Sequence, residues 1–356
     1  MVKVSIVIPT YNERENIEVL IPRIINILKD DYSFEIIVVD DNSPDGTAEL
    51  AMELADKYGN IKVIKRPGKL GLSSAILDGV KAAEGTYVLV MDADLQHPPE
   101  VIPKLIDKAK EGYDLVIASR YMKGGGTEGW SFFRKLISKG AMLIAKVLVP
   151  RCRGLTDVMS GFFIIKRDVI MNSITDLNPR GFKFLLEVIA KTNISNVAEI
   201  PYVFRSRYRG KSKLSSKEII NYLIHVLEIT PYSTLIKFAI VGASGTVVNL
   251  GVLYLLEFIA GIEHVISSAV AIEVSVINNF ILNDIWTFRR FRKGIWVLRL
   301  LKFHLSSALG LLTQYGVSQA LYYIAHIHAL IAQFIGILLG FIVNYVISKK
   351  FVWRMR

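Results

Sequence analysis

Cysteine is nearly absent from this chain: Cys152 is the only one in 356 residues. A single thiol excludes an internal disulfide and fits a reducing compartment, and Cys152 is expected to be a small buried residue. A secretory leader is not expected either, because the first stretch, MVKVSIVIPTYNE, soon reaches polar residues. We interpret that stretch as the first strand of a folded domain.

Two common nucleotide-binding signatures are also missing. No G-x-G-x-x-G follows the first predicted strand, which argues against a dinucleotide oxidoreductase. No Walker A motif occurs, which argues against a P-loop enzyme. The function of the N-terminal half must therefore be inferred from other clusters of polar residues.

Charge is scarce in residues 235–348, although the whole chain has a formal net charge of +11. The segments 238–256, 305–325 and 329–348 contain no charged residue, and each can cross a bilayer core of about 30 Å as a helix. A fourth segment, 265–285, carries Glu273 and Asp284 but completes a set of four spans. Glu273 is equally compatible with a functional role and with pairing inside a helix bundle.

The basic residues flanking these segments predict the orientation of an integral, multi-pass membrane protein. They all fall on one side, namely Lys237, Arg289, Arg290, Arg292, Lys293, Lys349, Lys350, Arg354 and Arg356. The connections around Gly261 and around His326 and His328 have no lysine or arginine. By the positive-inside rule, both termini and the N-terminal half are predicted to be cytoplasmic.

The apolar half repeats itself at a spacing of 65 positions. Lys237-Phe238 recurs as Lys302-Phe303, Gly245 as Gly310, Asn279-Phe280 as Asn344-Tyr345, and Trp286-Thr-Phe288-Arg289 as Phe351-Val-Trp353-Arg354. One spacing across four landmarks predicts two tandem helical hairpins. Since the first and third spans start on the same side, the repeat is parallel and not inverted.

The N-terminal half alternates short β-branched runs with amphipathic helical patterns. The runs are VKVSIVIP, EIIVVDD, IKVIKR, TYVLVMD and DLVIAS. Runs this apolar indicate strands covered on both faces, so we predict an α/β domain with a mostly parallel, Rossmann-like sheet. The predicted domains are 1–215, a linking helix at 216–230, and an all-α transmembrane domain at 231–356. Segments 130–149 and 216–229 are amphipathic, which is compatible with membrane-interface helices and also with ordinary packing helices.

Carboxylates collect where the predicted strands end. Asp92 and Asp94 follow TYVLVM one residue apart, while Glu13, Asp40 and Asp41 follow the first and second strands. Ligands of parallel sheets bind beyond the carboxyl ends of the strands, and oxygen ligands suit Mg²⁺ or Mn²⁺ bridged to phosphates. Helix caps or solvated loop acids are the alternative reading of the same residues.

Eight blocks resemble the family 2 inverting glycosyltransferases of GT-A fold, and among them the polyprenyl-phosphate sugar transferases of the dolichol-phosphate mannose synthase group. They are IVIPTYNE (6–13), VVDDNSPDGT (38–47), RPGKLGLSSAILDG (66–79), VMDADLQHPPE (90–100), ASRY (118–121), GWSFFRKLISKGA (129–141), LTDVMSGFFIIKRDV (155–169) and RYRGKSKL (207–214). The resemblance covers about residues 3–230, and the apolar half is similar to a GtrA-like four-span module.

This resemblance implies a nucleotide-sugar donor, most simply GDP-mannose, bound with Mg²⁺ or Mn²⁺. It implies that Asp94 and Gln96 hold the metal, and that Asp92 contacts sugar or ribose hydroxyls. The implied donor site comprises Pro9, Tyr11, Glu13, Val39, Asp41, Lys69, Asp92, Ala93, Asp94, Gln96, Arg205 and Lys211. The Gly-Phe-Phe run of SGFFIIKRD varies among sugar-donor classes, which leaves the donor open.

The resemblance also implies a polyprenyl (dolichyl) phosphate acceptor in membrane lipid, with no nucleic acid partner. Arg134 and Ser138 are i and i+4 on one predicted helix face, and arginine suits phosphate oxygens. Arg120 follows DLVIAS, and Arg205 precedes a Gly/Ser-rich basic segment with Arg207, Arg209 and Lys211 that could close over the diphosphates. Asp92, Asp94, Arg120, Arg134, Ser138 and Arg205 are thus the catalytic candidates. Basic residues near a membrane also bind anionic headgroups, so this alternative stays open.

A phosphate acceptor also accounts for the lack of a catalytic histidine in these blocks. A phosphate monoester is largely dianionic at neutral pH, so it attacks the anomeric carbon without a strong general base. His97 is the one histidine next to the predicted site, where it is expected to pack at a helix start.

Three other functions share features of this sequence. A processive polysaccharide synthase is disfavoured because no Gln-x-x-Arg-Trp occurs. A glucose- or aminoarabinose-specific transferase remains open, since only the RPGKLGL block favours mannose. A lipid carrier or flippase with a degenerate sugar-binding domain is disfavoured by the intact Asp92, Asp94 and Gln96. Whether the membrane half only anchors or also guides the lipid is not decided by the sequence.

Overall fold

A computed structural model of the chain describes residues 3–177, 183–206 and 216–355. The chain divides into two compact units, Met1–Thr230 and Pro231–Arg356. The first unit is an α/β domain and the second is entirely helical.

The first unit alternates strands and helices along the chain. Its strands are β1 Lys3–Thr10, β2 Ser33–Asp40, β3 Ile61–Lys65, β4 Tyr87–Val90, β5 Leu115–Ser119, β6 Gly126–Thr127, β7 Phe163–Lys166, β8 Val197–Pro201 and β9 Val203–Phe204. Its α-helices are α1 Arg14–Leu28, α2 Thr47–Tyr58, α3 Leu72–Ala82, α4 Ile102–Lys110, α5 Phe132–Leu148, α6 Arg167–Met171, α7 Phe184–Lys191 and α8 Ser216–Ile229. Two short 3₁₀ helices lie at Pro99–Val101 and Pro150–Cys152.

Seven of these strands form one sheet in the order β3-β2-β1-β4-β7-β5-β8. The five predicted strands are all present, and the sheet is mostly parallel as predicted. β7 differs because it runs antiparallel between β4 and β5. Its run FIIK is only four residues long, which is too short for periodicity to reveal a strand or its direction.

Helices cover both faces of this sheet, as the continuous apolar runs predicted. Ile6 and Ile8 of β1 pack on the face that α1, α2 and α4 cover. Val7 of the same strand faces the other layer, where α3, α5, α7 and α8 pack. Because side chains alternate along a strand, a strand enclosed in this way is apolar at nearly every position; the exception inside β1 is Ser5, whose hydroxyl donates to the Glu35 carboxylate.

The helices α5 and α8 each leave an apolar face uncovered within the first unit. They are joined by hydrogen bonds from the Tyr222 hydroxyl to the Ala141 carbonyl and from the Thr230 hydroxyl to the Leu148 carbonyl, both of 2.5 Å. The exposed apolar side chains are Phe132, Phe133, Leu136, Ile137, Leu143 and Val147 of α5 and Ile219, Ile220, Leu223 and Ile224 of α8. A contiguous apolar surface of this kind is typical of contact with a membrane or a partner.

The second unit consists of α9 Ser233–Tyr254, α10 His264–Leu282, α11 Trp296–Tyr323 and α12 Ala329–Ile347. Short π-helical turns follow three of them, at Leu255–Ile259, Asn283–Thr287 and Ser348–Val352, and a 3₁₀ turn lies at Arg289–Phe291. Among the described residues, three helical segments are long and apolar enough to cross a membrane: Ser233–Ile259, His264–Thr287 and Ile331–Val352. The predicted span 305–325 lies in α11, whose serines, glutamines and tyrosines make it less apolar.

Positions 65 apart in the second unit make equivalent contacts. Gly245 lies against the Asn279 side chain, and Gly310 lies against Asn344, where an added Cβ would stand 2.9 Å from the Asn344 Cβ. The π-helical turns at Asn283–Thr287 and Ser348–Val352 are also 65 residues apart. Residues 65 positions apart thus occupy equivalent places in the second unit.

The aromatic contacts reveal how the two hairpins are related. Three ring pairs have centroid distances of 5.5, 5.8 and 4.3 Å: Phe238–Tyr345, Phe280–Phe303 and Phe288–Trp353. A shift of 65 positions exchanges the first pair with the second and maps the third pair onto itself. This is the pattern of an approximate two-fold axis between the hairpins.

Both intramembrane acids noted in the sequence are paired. Asp284 is buried and accepts hydrogen bonds from the Arg299 guanidinium, at 2.9 and 3.1 Å, and from the Trp353 indole at 3.0 Å. Glu273 lies 3.0 Å from His304 on the exposed side of the helices. Of the two interpretations of Glu273, a functional role or pairing inside the helix bundle, the structure shows pairing.

The close approach at Gly310 yields a stability prediction with a control on the same helix. Gly310→Ala should lower the free energy of unfolding by about 1–3 kcal/mol, because the new methyl group meets the Gly340 carbonyl oxygen and Asn344. Gly316→Ala should raise it by about 0.5–1 kcal/mol, since a Cβ there meets no atom and alanine favours a helix. Thermal unfolding of the full chain in detergent distinguishes the two. Stabilisation by both substitutions would contradict the packing described for α11 and α12.

Candidate active site

The ends of β1, β2 and β4 bring the predicted site residues to one edge of the sheet. In the parallel register, Thr10 pairs with Asp40 and Val7 pairs with Val90. The segments that follow, 11–13, 41–43 and 91–96, therefore leave the sheet side by side. Pro9 and Val39 are buried neighbours in this register, directly beneath that edge.

The two adjacent aspartates after β2 have different partners. Asp40 is fully buried and accepts hydrogen bonds from the Thr10 hydroxyl at 2.9 Å and the Ser43 amide at 2.8 Å. These bonds fix the turn after the strand, so Asp40 is a structural residue. Asp41 instead accepts from the Arg66 guanidinium and from the Gly71 amide at 2.8 Å, which ties down the 66–71 loop.

This tied loop carries Lys69 to the ring of Tyr11. The Lys69 ammonium lies 3.8 Å from the ring centroid, a cation–π contact. Glu13 stands at the start of α1, where its amide donates to the Thr47 hydroxyl at 3.0 Å and its carboxylate accepts from the Asn16 side chain. Tyr11, Asp41 and Lys69, which the resemblance assigned to the nucleotide, therefore lie together.

The chain turns sharply between Asp94 and Gln96. Leu95 has a φ of 61°, in the left-handed region, and the Gln96 amide donates to the Asp94 carboxylate at 3.1 Å. The Gln96 side chain donates from Nε2 to the Arg205 carbonyl at 3.0 Å, and the Arg205 amide donates to the Gln96 carbonyl at 3.1 Å. These bonds fix the orientation of the Gln96 side-chain amide. Its Nε2 faces the Arg205 carbonyl, so its Oε1 is directed away from that group. Arg205 itself extends towards Glu100, 3.5 Å away.

The turn from Asp94 to Gln96 fits a divalent cation held together with phosphate oxygens. It offers one buried carboxylate and one buried amide oxygen. Magnesium typically takes one or two carboxylates from a protein and the rest from substrate phosphates and water. Within residues 3–177, 183–206 and 216–355, no cluster of three or more His, Cys, Asp or Glu side chains could hold a metal by protein ligands alone.

His97 is a buried, neutral neighbour of this turn. Its Nδ1 accepts from the Asp92 amide at 3.0 Å, and its ring stacks on Phe162 with centroids 5.0 Å apart. Burial, with a smaller contribution from Arg120, lowers the pKa of His97 to about 4 against the opposing field of Asp94. A neutral ring that accepts at Nδ1 carries its proton on Nε2, which lies 3.8 Å from the Asp92 carboxylate. His97 thus buttresses Asp92.

Arg120 is locked in a buried, bidentate ion pair. Its Nε and Nη2 donate to Asp157 at 2.7 and 2.8 Å, and Asp157 in turn receives the Arg120 amide at 3.1 Å. Burial alone would lower the pKa of Arg120, but the hydrogen bonds and charge of Asp157 outweigh it and raise the pKa. Two of the donors expected for an acceptor phosphate are therefore already occupied.

The predicted acceptor residues of α5 lie close to Arg120. The Arg134 guanidinium stacks over the Trp130 ring at 4.3 Å, and Arg120 lies 5.4 Å from the same ring. Ser138 accepts a hydrogen bond from the Tyr121 hydroxyl at 2.7 Å. Trp130 and Tyr121 thus connect the residues after β5 to the start of α5.

The structure gathers the predicted residues into two neighbouring groups. One contains Tyr11, Asp41 and Lys69, and the other contains Arg120, Arg134 and Ser138. Outside these two groups, Asp94 and Gln96 form the turn described above, Arg205 is hydrogen bonded to Gln96, and Asp92 is hydrogen bonded to His97. Lys211, with Arg207 and Arg209, lies outside the described residues. Sequence reasoning gave no role to Asp157 or Arg66, although both stand in the quoted blocks LTDVMSGFFIIKRDV and RPGKLGLSSAILDG. The charge of each could have signalled a buried partner.

Comparison with known proteins assigns the class of this site and of the helical unit. Residues 5–173 match the family described as Glycosyl transferase family 2. Residues 237–353 match the family described as GtrA/DPMS, transmembrane domain. The chain is thus a glycosyltransferase of GT-A fold joined to a membrane domain.

Curated relatives resemble the chain over most of its length. A dolichol-phosphate mannosyltransferase of Pyrococcus furiosus is 48% identical over 355 residues, which cover 99% of each chain. One of Saccharomyces cerevisiae is 37% identical over 64% of this chain and 87% of that protein. The chain belongs to the dolichol-phosphate mannosyltransferase family.

Solved structures are more distant. A mycobacterial protein of known crystal structure shares the fold with a TM-score of 0.50 at 19% identity, over 63% of this chain and 74% of that one. Glucosyl-3-phosphoglycerate synthase of Mycobacterium tuberculosis, crystallised with Mn²⁺, UDP-glucose and glycerol 3-phosphate, has a TM-score of 0.48 at 19% identity, over 64% and 78%.

The Arg120–Asp157 pair yields a stability prediction. Asp157→Ala should lower the free energy of unfolding by about 3–5 kcal/mol, because it leaves the Arg120 charge buried without a counter-charge. The double variant Asp157→Leu with Arg120→Met should recover most of that loss, since no charge is then buried. Glu53→Ala, at an exposed position of α2, is the control. Equal unfolding midpoints for Asp157→Ala and Glu53→Ala would contradict the pairing.

Proposed function

We propose that this protein transfers mannose from GDP-mannose to a polyprenyl phosphate, such as dolichyl phosphate, with inversion, to give a β-linked mannosyl phosphate lipid. One observation carries the proposal: the same helix, α5, holds Arg134 and Ser138 close to Arg120 and Tyr121 and exposes an apolar face. A phosphate group on an apolar chain matches that combination. The names of the curated relatives, which specify a dolichol phosphate and mannose, support the same substrates.

We assign a donor pocket to the surroundings of Tyr11 and the 66–71 loop. The ring of Tyr11, with the Lys69 ammonium above it, offers an aromatic face and a cation to a nucleotide. Asp41 holds that loop through Gly71 and Arg66, so it positions the pocket. Asp92, half-buried and oriented by His97, is assigned to hydroxyl groups of the sugar or ribose.

Asp94 and Gln96 are assigned to Mg²⁺ or Mn²⁺, which would supply charge compensation for the diphosphate. The Gln96–Arg205 hydrogen bonds keep Arg205 at the rim of this turn, where its guanidinium is suited to the same phosphates. Arg205 thereby reduces the charge repulsion between the leaving diphosphate and the turn's carboxylates.

The reaction assigned to this site is an in-line displacement. An oxygen of the acceptor phosphate forms a bond to the anomeric carbon, and the bond from that carbon to the diphosphate oxygen breaks. GDP leaves with the electron pair, and the α-linkage becomes β. A dianionic phosphate needs no base, which agrees with the surroundings, because Asp157 is bound to Arg120 and His97 is held by the Asp92 amide.

We infer that the exposed apolar faces of α5 and α8 lie in the membrane interface, where the acceptor's phosphate is found. The four helices α9–α12 are assigned as four spans, with both termini and the first unit cytoplasmic. The one-sided lysines and arginines of their connections support this orientation. The acceptor's apolar chain would then remain in the bilayer during transfer.

A donor panel tests the proposed reaction on the full chain in detergent with dolichyl phosphate. GDP-mannose with Mg²⁺ should give a radiolabelled lipid, and UDP-glucose should give at least about tenfold less, because the donor pocket contacts both base and sugar. Asp94→Ala should lower turnover about 10²–10³-fold, as expected for the loss of one electrostatic contact to the developing charge. Glu53→Ala should retain full turnover.

The product's anomeric signal in NMR checks the stereochemistry, for which a β-mannosyl phosphate is expected. A preferred UDP-sugar would contradict the donor assignment. No lipid product from any sugar nucleotide would contradict transfer itself and favour a lipid carrier.

A further inference from the structure

The start of α7 lies at the same edge of the sheet as the proposed site. The Phe184 ring stacks on Phe163, the first residue of β7, with centroids 6.4 Å apart. Two residues before Phe163, Gly161 is so close to Asp92 that an added Cβ would lie 3.3 Å from its carboxylate. Lys183 immediately precedes Phe184, so the fold delivers its side chain to the surroundings of Asp92.

Four charged groups near Lys183 influence its pKa. Burial, with the fields of Arg120 and Arg134, lowers the pKa of Lys183 to about 8, while Asp157 and Asp92 oppose the shift. These four groups come from four different elements: the ends of β5 and β4, the loop before β7, and α5. The side chain is half-buried among them.

The charges in this cluster do not balance. Three cations and two carboxylates leave one positive charge in excess, and Asp157 is already bound to Arg120. Clustering cations in a partly buried site is unfavourable unless an anion joins them. Binding of a phosphate dianion would offset this excess positive charge.

We propose that Lys183 is a further cation of the acceptor site and donates to the phosphate of the lipid acceptor beside Arg134. This assignment rests on the proposed function. Two of the Arg120 donors are bound to Asp157 and cannot also bind the acceptor phosphate. Under this proposal, Lys183 supplies the missing donor. Arg120 then contributes through its remaining donors and its charge, and Lys183 contributes a full hydrogen-bonding ammonium.

Binding without a donor tests the assignment. The full chain in detergent is titrated calorimetrically with farnesyl phosphate, and with farnesol as the ligand that lacks the phosphate. Lys183→Met should weaken farnesyl phosphate binding by about ten- to hundredfold, the loss of one hydrogen bond between charged groups. Lys183→Arg should recover most of the affinity. Lys104→Met, which removes an exposed lysine from α4, should bind like the wild type.

Proton uptake on binding distinguishes direct phosphate binding by Lys183 from a purely structural role. At pH 8.5 the free Lys183 is mostly neutral and the phosphate is dianionic, so binding should charge the lysine and take up a proton. The uptake appears as a difference in binding enthalpy between buffers of different ionisation enthalpy. It should disappear in Lys183→Met and persist in Lys104→Met.

The outcomes separate this inference from the function on which it rests. Equal affinity of wild type and Lys183→Met for farnesyl phosphate would overturn the role of Lys183 alone. A selective loss of GDP-mannose binding in Lys183→Met would also overturn it, by assigning the lysine to the donor. Equal binding of farnesol and farnesyl phosphate by the wild type would overturn the acceptor itself, and Lys183 with it.

Discussion

Enclosure of the central strands on both faces constrains everything else in the first unit. β1, β2 and β4 lie between two helical layers, so charged side chains occur only towards the ends of these strands: Lys3 and Glu35 lie towards the beginning of β1 and β2, and Asp40 lies at the exit of β2. The parallel register then places those exits next to one another. Asp41 is consequently brought to the same edge of the sheet as Asp92 and Asp94, which lie far from it in sequence. The donor pocket and the metal turn that we propose both depend on this arrangement.

Burial at this edge also sorts the charges into structural and ligand-binding groups. Asp40 and Asp157 are fully buried and hydrogen bonded within the protein, so they shape the site. Asp92 and Lys183, which we propose bind ligands, are only half-buried, whereas the proposed metal ligand Asp94 is buried. The sequence could not make this distinction, because the partners Arg66 of Asp41 and Asp157 of Arg120 lie 25 and 37 positions away. What it could predict were the strand exits and the i, i+2 turn, which depend on local pattern alone.

The helical unit was more predictable, because its regularities are periodic. The landmarks that recur every 65 residues in the sequence are the residues that form the Gly–Asn contacts and the aromatic pairs, although the sequence did not predict those contacts. The buried Asp284–Arg299 pair and the Trp353 indole that joins it were not foreseen, since they depend on how α10 meets α11 and the last residues. Likewise β7 was missed, because four apolar residues carry no usable period.

We propose that one turn, Asp94–Gln96, completes a metal site only together with the donor's diphosphate. Electron paramagnetic resonance of Mn²⁺ on the full chain tests this most directly. Mn²⁺ alone should bind weakly, and GDP should tighten its binding at least about tenfold, because the described protein offers too few ligands of its own. The bound ion should then show hyperfine coupling to phosphorus. Tight Mn²⁺ binding without GDP, or a Mn²⁺ signal without phosphorus coupling, would contradict the account.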